Sequence, residues 1–337
     1  MIENIERSNQ DSRDMYEAVR ILQRLKPKAN LIIKNEEGKI PSSTKGTIKI
    51  ITKHFNNELN NENAKTIPST KPTKMKQLFT EKEIRKAVNK MKNGKSAGCD
   101  NVYPEMLKNS PEIITEKIAE ILNECAETGK HPKELITGLL IPLQKPGKEK
   151  GPPANLRPIV LLSILRKILA ICLIERTYTR LRNSIPSSQA AYSKGRSTTE
   201  LVFTVKTIVE KAIISTDLEA NILMLDMSKA FDTIQRGTLI EDLSKILNSD
   251  EIHLVTILLR EVKLIVQLNN TQGEPFTTNM GSPQGDCASA LFFIYYLAES
   301  IKDENEGNKI IPPTQLLDHD YAKPTLMGKI IDQQGLQ

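Results

Sequence analysis

The stretch Ile222-Leu223-Met224-Leu225-Asp226-Met227-Ser228-Lys229-Ala230-Phe231-Asp232 constrains this chain more than any other. A short apolar run closes on an aspartate, and a second aspartate follows a brief amphipathic segment. A run of this kind, bounded by a polar residue, reads as a buried strand leading into a turn. An acid at the tip of a buried strand lies at the edge of a core, where a metal or a substrate reaches it. Phosphoryl transfer needs such carboxylates, because Mg²⁺ is hard and takes oxygen ligands. The competing reading is that Asp226 caps a following helix, since aspartate is a favoured N-cap. Taken alone, the stretch leaves both open.

The rest of the chain narrows the setting. Its 337 residues, 39% of them hydrophobic, suffice for one large domain or two ordinary ones. The net charge of +6 suits nucleic acid or an anionic surface without demonstrating either. Aromatics make up only 4% and tryptophan is missing, which argues against generic base-stacking platforms. Cys99, Cys125, Cys172 and Cys287 form no CxxC pair, and His54, His131, His253 and His319 are equally scattered. An intracellular chain with reduced cysteines and no zinc is therefore expected. The polar, acidic opening Met1-Ile2-Glu3-Asn4 does not read as a signal peptide. The most apolar segments, 159–174 and 288–298, are too charged or too short to span a bilayer, so no membrane association is expected.

Periodicity and punctuation place the elements. Residues 1–30 read as a charged helix, 31–40 as a small hairpin and 47–59 as a helix. Residues 56–76, rich in Asn, Thr, Lys and Pro, have linker composition, and a domain boundary is expected there. Thr80 with Glu83 forms a capping box, Phe79 is placed to staple onto Ile84, and 95–100 reads as a flexible basic loop. Helices are expected over 104–109, 111–128, 163–182, 200–214, 239–247, 251–259 and 288–301. Strands are expected over 138–143, 159–162 and 262–268, the last turning at Asn269-Asn270 into a hairpin. A lysine-rich loop joins the first two strands, and Gly281-Ser282-Pro283-Gln284-Gly285-Asp286 is a glycine turn before the final helix. The fold class is α+β.

Three segments then combine: residues 225–232, Asn155-Leu156-Arg157-Pro158-Ile159 after the lysine-rich loop, and the 281–286 turn. Each alone is weak. Together, in this order, they resemble the reverse transcriptase domain of non-LTR (LINE-like) retrotransposons. Residues 92–100 are similar to that family's opening segment, and 189–199 to the loop before its first palm strand. Residues 1–70 resemble the helical spacer upstream of the polymerase in such elements, and 79–337 would be the reverse transcriptase domain. The resemblance implies a right-hand polymerase core, with fingers over 79–185 and a partial palm over 186–337.

It also implies roles. Asp226 would be the first metal-binding carboxylate, with the Met227 carbonyl beside it; the intact family would hold two Mg²⁺ ions for an in-line displacement, and the second site is expected to be incomplete here. Lys145 and Arg157 would hold the nucleotide triphosphate, against the plain reading of a solvated loop. Phe231 would pack under the incoming sugar and exclude a 2′-hydroxyl, against plain core packing. Asp232 is expected to cap the following helix. Gln284 and Gly285 would lie against the template–nucleotide pair, and Gly195 and Arg196 would contact template phosphates. The basic stretch 71–95 is either an RNA-backbone track or a solvated helix face.

The family's Tyr-x-Asp-Asp hairpin does not occur in the 337 residues; Tyr321-Ala322-Lys323-Pro324 starts correctly and then departs. A chain truncated before that hairpin, with an incomplete palm and no thumb, is expected. The implied function is RNA-directed DNA synthesis with an RNA template, a DNA primer and dNTP as partners, inactive in this length. The alternatives are a catalytically dead relict that at most binds RNA, and a folded module with no nucleic-acid role.

Overall fold

The fold is assembled around two apolar strands that pair along their whole length. β1 (Thr137–Gln144) and β2 (Leu156–Leu162) run antiparallel, with Gly138 opposite Leu162 and Gln144 opposite Leu156. Gly138 leaves room for the neighbouring strand, since a Cβ there would meet Val160 Cγ1 at 2.4 Å. The computed structural model describes residues 31–67, 75–215, 222, 227 and 229–304. The helix expected over 1–30, the strand leading to Asp226 apart from Ile222, Asp226 itself and the polar tail lie outside the described residues.

β1 also pairs in parallel with β3 (Val262–Leu268), from Thr137 opposite Lys263 to Leu140 opposite Val266. β3 turns back at Asn269 and Asn270, whose φ angles of 47° and 64° are those of a two-residue hairpin turn. It then pairs with β4 (Thr271–Gln272) and, further back, with β5 (Phe276–Thr278). The sheet order is β2-β1-β3-β4, with β5 also on β3.

One face of the sheet is covered by α1 (Thr44–Glu58), capped where Ser43 Oγ accepts from the Gly46 amide. Ile48, Ile51 and Phe55 of α1 share a buried cluster with Leu140, Val160 and Val266. The spacer expected before residue 70 thus contributes to the core of the sheet. Ile33 joins the same cluster and bridges Gly151 in parallel, so the hairpin expected over 31–40 does not form. The Asn35 side chain instead accepts from the amides of Glu37 and Lys39 and closes a local turn.

Beyond the sheet lies a helical cluster. α2 (Glu81–Lys90) carries the expected capping box of Thr80 and Glu83. Glu83 also takes two 2.9 Å hydrogen bonds from Arg176, whose guanidinium sits 4.4 Å from the Phe79 ring centre. α3 (Pro104–Lys108), α4 (Glu112–Thr128) and α5 (Lys133–Ile136) follow, then α6 (Ile164–Ser184), capped by Ser163 and central to the cluster. The 95–100 loop, expected to be flexible, is docked: Asp100 Oδ2 accepts from the Ile164 amide at 2.6 Å, and Gly98 lies against the Leu162 carbonyl, 2.4 Å from where a Cβ would be. α7 (Thr198–Ile214) is the least packed helix, with none of its residues buried. α8 (Arg236–Ser244), α9 (Ser249–Leu259) and α10 (Cys287–Glu304) complete the described chain, which is α+β.

Two buried arginines tie the sheet to the helices. Arg236 Nε donates to the Gly281 carbonyl at 2.7 Å, Nη1 to those of Thr278 and Leu259, and Nη2 to the Thr278 hydroxyl and the Met280 carbonyl. Burial pushes this guanidinium down to about 9, with the charge of Arg166 adding to the shift, so it stays cationic at neutral pH. Arg166 pairs with Asp286 at 3.1 Å and donates to the Leu258 and Leu135 carbonyls. Replacing Arg236 takes the donor from five oxygens, and each buried acceptor left unmade costs about 1–3 kcal/mol. Arg236→Met is therefore expected to lower the free energy of unfolding by about 3 kcal/mol or more, read as a fall in the urea midpoint at unchanged slope.

Candidate active site

The site is built where the 281–286 turn meets β2 and the turn at 229–234. The Gly281 amide donates to the Ile234 carbonyl and the Ser282 amide to that of Phe231, both at 2.9 Å. Gly281, at φ +71°, lies so close to Asp232 that a Cβ would come within 2.9 Å of its backbone. On the other side, the Val160 amide donates to the Gln284 carbonyl at 2.8 Å. Gly285 has φ +134°, and a Cβ on it would fall 2.3 Å from the Val160 carbonyl oxygen. Only glycine fits there, because the backbone of β2 occupies the place of a side chain.

This docking aims the Gln284 side chain at Asp232, and its amide donates to the two carboxylate oxygens at 3.1 and 3.3 Å. Asp232 was expected to cap the next helix; the N-cap of α8 is Gln235, which makes no side-chain cap bond. Asp232 instead forms one wall of a cavity of about 390 Å³. Burial raises its carboxyl to about 6, opposed by the Gln284 hydrogen bond, reinforced by Glu58 and opposed again by Lys229 and Lys145.

Four residues singled out in the sequence line that cavity together: Lys145, Arg157, Phe231 and Gln284. Lys145 leaves β1 into a compact loop and donates through Nζ to the Ala154 carbonyl at 2.8 Å. Arg157 is exposed on β2, opposite Leu143. Phe231 is wedged between Phe293, with ring centres 5.0 Å apart, and Tyr192, edge-on at 6.3 Å. Gly285 sits behind Gln284 and does not line the cavity. Gly195 and Arg196 lie elsewhere: Gly195 has open space around it, while Arg196 pairs with Glu200 at 2.7 Å and donates to the Ser187 carbonyl. Met227 is 52% exposed, and Asp226 lies outside the described residues.

Three lining residues escaped the sequence reading: Tyr192, Lys229 and Glu58. Tyr192 and Lys229 have φ angles of +52° and +56°, a backbone state that bulky side chains rarely take. Glu58 comes from the end of α1, and nothing in its own neighbourhood marks it.

The family is decided by comparison with known proteins. A sequence model described as "Reverse transcriptase (RNA-dependent DNA polymerase)" matches residues 143–311, half of the chain. The chain belongs to the reverse transcriptase family. Its relatives include the "Probable RNA-directed DNA polymerase from transposon BS" of Drosophila melanogaster, 27% identical over 219 residues, or 64% of this chain and 24% of that protein. A protein of the same organism, the "Probable RNA-directed DNA polymerase from transposon X-element", is 24% identical over 218 residues, again 64% of this chain and 24% of the relative. The "Transposon TX1 uncharacterized 149 kDa protein" of Xenopus laevis is 28% identical over 158 residues, 47% of this chain and 12% of the relative. The chain thus spans about a quarter of the length of the first two. The resemblance drawn from the motifs holds.

The reverse transcriptase match contains Lys145, Arg157, Phe231 and Gln284, whereas Glu58 lies outside it. The family uses divalent metals. Among the described residues no three His, Cys, Asp or Glu side chains are placed to hold one. The carboxylates of the cavity, Glu58 and Asp232, are held by Lys229 and Gln284, so the described residues alone do not make a metal site. Among the described residues no helix is long and apolar enough to cross a membrane.

A raised carboxyl has a consequence for stability. Asp232 in the folded reverse transcriptase chain keeps its proton to about pH 6, against an ordinary value of 3.8. Folding stability is then lost as pH rises from about 4 to about 6 and stays at the lower level above. Asp232→Asn is expected to raise the melting temperature at pH 7.5, by on the order of 2 kcal/mol of stability, and to leave it unchanged near pH 4. Equal melting-temperature changes at both pH values would mean that the carboxyl titrates normally.

Proposed function

We propose that the cavity is the deoxynucleotide site of an RNA-directed DNA polymerase, and that the α+β fold is its fingers and palm. The observation that carries this reading is convergence. Lys145, Arg157, Phe231 and Gln284, spread over 140 positions of sequence, line one cavity of about 390 Å³. That volume lies in the range of about 300–1,000 Å³ typical of small-molecule sites.

Each side chain has a task in this reading. Arg157 presents a planar fork of donors that matches phosphate oxygens, and Lys145 adds a point charge beside it. Phe231, fixed between Phe293 and Tyr192, offers a rigid ring beneath the sugar, where it would exclude a 2′-hydroxyl. Gln284 lies beside the base pair, its orientation set by the bond to Asp232. Magnesium, which we place on Asp226 and the Met227 carbonyl, supplies charge neutralisation at the phosphoryl group. Gly195 and Arg196 are proposed to meet the template backbone: the open space over Gly195 admits a phosphate, and Arg196 would exchange Glu200 for it. The RNA template and DNA primer are the partners of this reading.

Nucleotide binding tests the cavity directly. Calorimetric titration of dATP with Mg²⁺ is expected to show saturable binding to the whole chain. Arg157→Ala should weaken it about tenfold, the equivalent of one charge-assisted hydrogen bond. Unchanged affinity in that variant would refute the assignment. Phe231→Leu should narrow the preference for dATP over ATP by strengthening ATP binding, and an unaltered ratio would remove Phe231 from sugar selection.

A further inference from the structure

The cavity has a third cation, and it is held differently from the other two. Among the described residues, neither Lys145 nor Arg157 lies within ion-pair distance of a carboxylate. Lys229 does: its Nζ is 2.5 Å from Glu58 Oε1. Both residues line the cavity. The position of Lys229 is imposed by its backbone. At φ +56° it occupies the left-handed region, and its carbonyl accepts from the amides of Asp232 and Thr233 at 2.8 and 3.1 Å. The tight turn that carries Phe231 and Asp232 into the cavity wall therefore starts at this lysine.

The partner is also constrained. Glu58 ends α1, whose apolar side is locked into the core of the sheet through Ile48, Ile51 and Phe55. Its side chain is only 18% exposed, while that of Lys229 is 43% exposed. The carboxylate is therefore the fixed member and the ammonium, on its four-carbon stem, the mobile one. A polyphosphate arriving beside Lys145 and Arg157 meets a cation already neutralised by a neighbouring anion. It must share that ammonium with Glu58 or draw it away.

We infer that Lys229 is a third ligand of the nucleotide's polyphosphate, and that Glu58, from a helix outside the reverse transcriptase match, is the counter-ion that competes with phosphate for it. The inference rests on the nucleotide reading of the cavity and adds to it a residue that sets affinity from outside the matched segment. Glu58 pairs with the ammonium that the phosphate would take. Phosphate has to compete with that carboxylate for the one ammonium, so Glu58 lowers affinity and thereby eases release. This is a positioning role for Glu58 and a direct contact for Lys229.

The test is a double-mutant cycle on the full chain, with inorganic tripolyphosphate as the probe so that sugar and base play no part. Lys229→Gln is expected to weaken binding about tenfold, as is Lys229→Gly, which suits the left-handed backbone and controls for strain at that position. Glu58→Gln should strengthen binding several-fold in the parent chain and have no effect when Lys229 is already Gln. That non-additivity separates competition for one ammonium from a general change in fold. If both Lys229 variants bind like the parent while Arg157→Ala binds less well, the inference falls and the nucleotide cavity stands. If Arg157→Ala also binds like the parent, both fall. A gain from Glu58→Gln that persists without Lys229 likewise overturns the competition.

Discussion

The Arg236 guanidinium gathers the carbonyls of Leu259, Thr278, Met280 and Gly281 and the Thr278 hydroxyl. Those groups belong to the end of α9, to β5 and to the glycine turn. Without a donor they would be oxygens buried without hydrogen bonds. The arginine is buried, and among the described residues no carboxylate forms an ion pair with it; what stabilises it is the number of neutral acceptors around it. Arg166 does the equivalent at the other end of the turn, pairing with Asp286. The 281–286 turn is thus pinned at both ends, and everything at the cavity that depends on its placement depends on these two side chains.

From that pinned turn the site follows by contact. Gly281 abuts the backbone of Asp232 and Gly285 abuts Val160 of β2, so the turn is pressed between the two walls of the cavity. Gln284, between them, has its amide directed at Asp232. The family's glycines therefore serve first as places where two backbones meet. The hydrogen bond of Gln284 also accounts for a carboxylate left half-buried: its amide offsets part of the desolvation that raises Asp232.

The cavity also joins parts of the chain with different histories in the sequence. Lys145, Arg157, Phe231 and Gln284 fall within the segment that marks the reverse transcriptase family, while Glu58 reaches the cavity from α1, ahead of that segment. The reason is that α1 covers the sheet and ends at the cavity's rim. A region of linker-like composition thus carries a charged group into the site, because its preceding helix is needed to close the core.

What the sequence by itself determined is local. The Thr80–Glu83 capping box, the strand Val262–Leu268, the Asn269-Asn270 turn and the helix after the glycine turn all stand where short-range patterns placed them. Their determinants are hydrogen bonds and side-chain periodicities that span a few residues, and such signals are written in the neighbouring letters. The family and four residues of the cavity were legible for a related reason, since their motifs are contiguous. The tertiary structure alone decided the rest: that Asp232 bonds Gln284 across 52 positions instead of capping a helix, that Lys229 finds Glu58 across 171, and that the 95–100 loop is docked by Asp100 on Ile164. These pairings have no local signature, because each follows from which backbones the sheet and the buried arginines bring together.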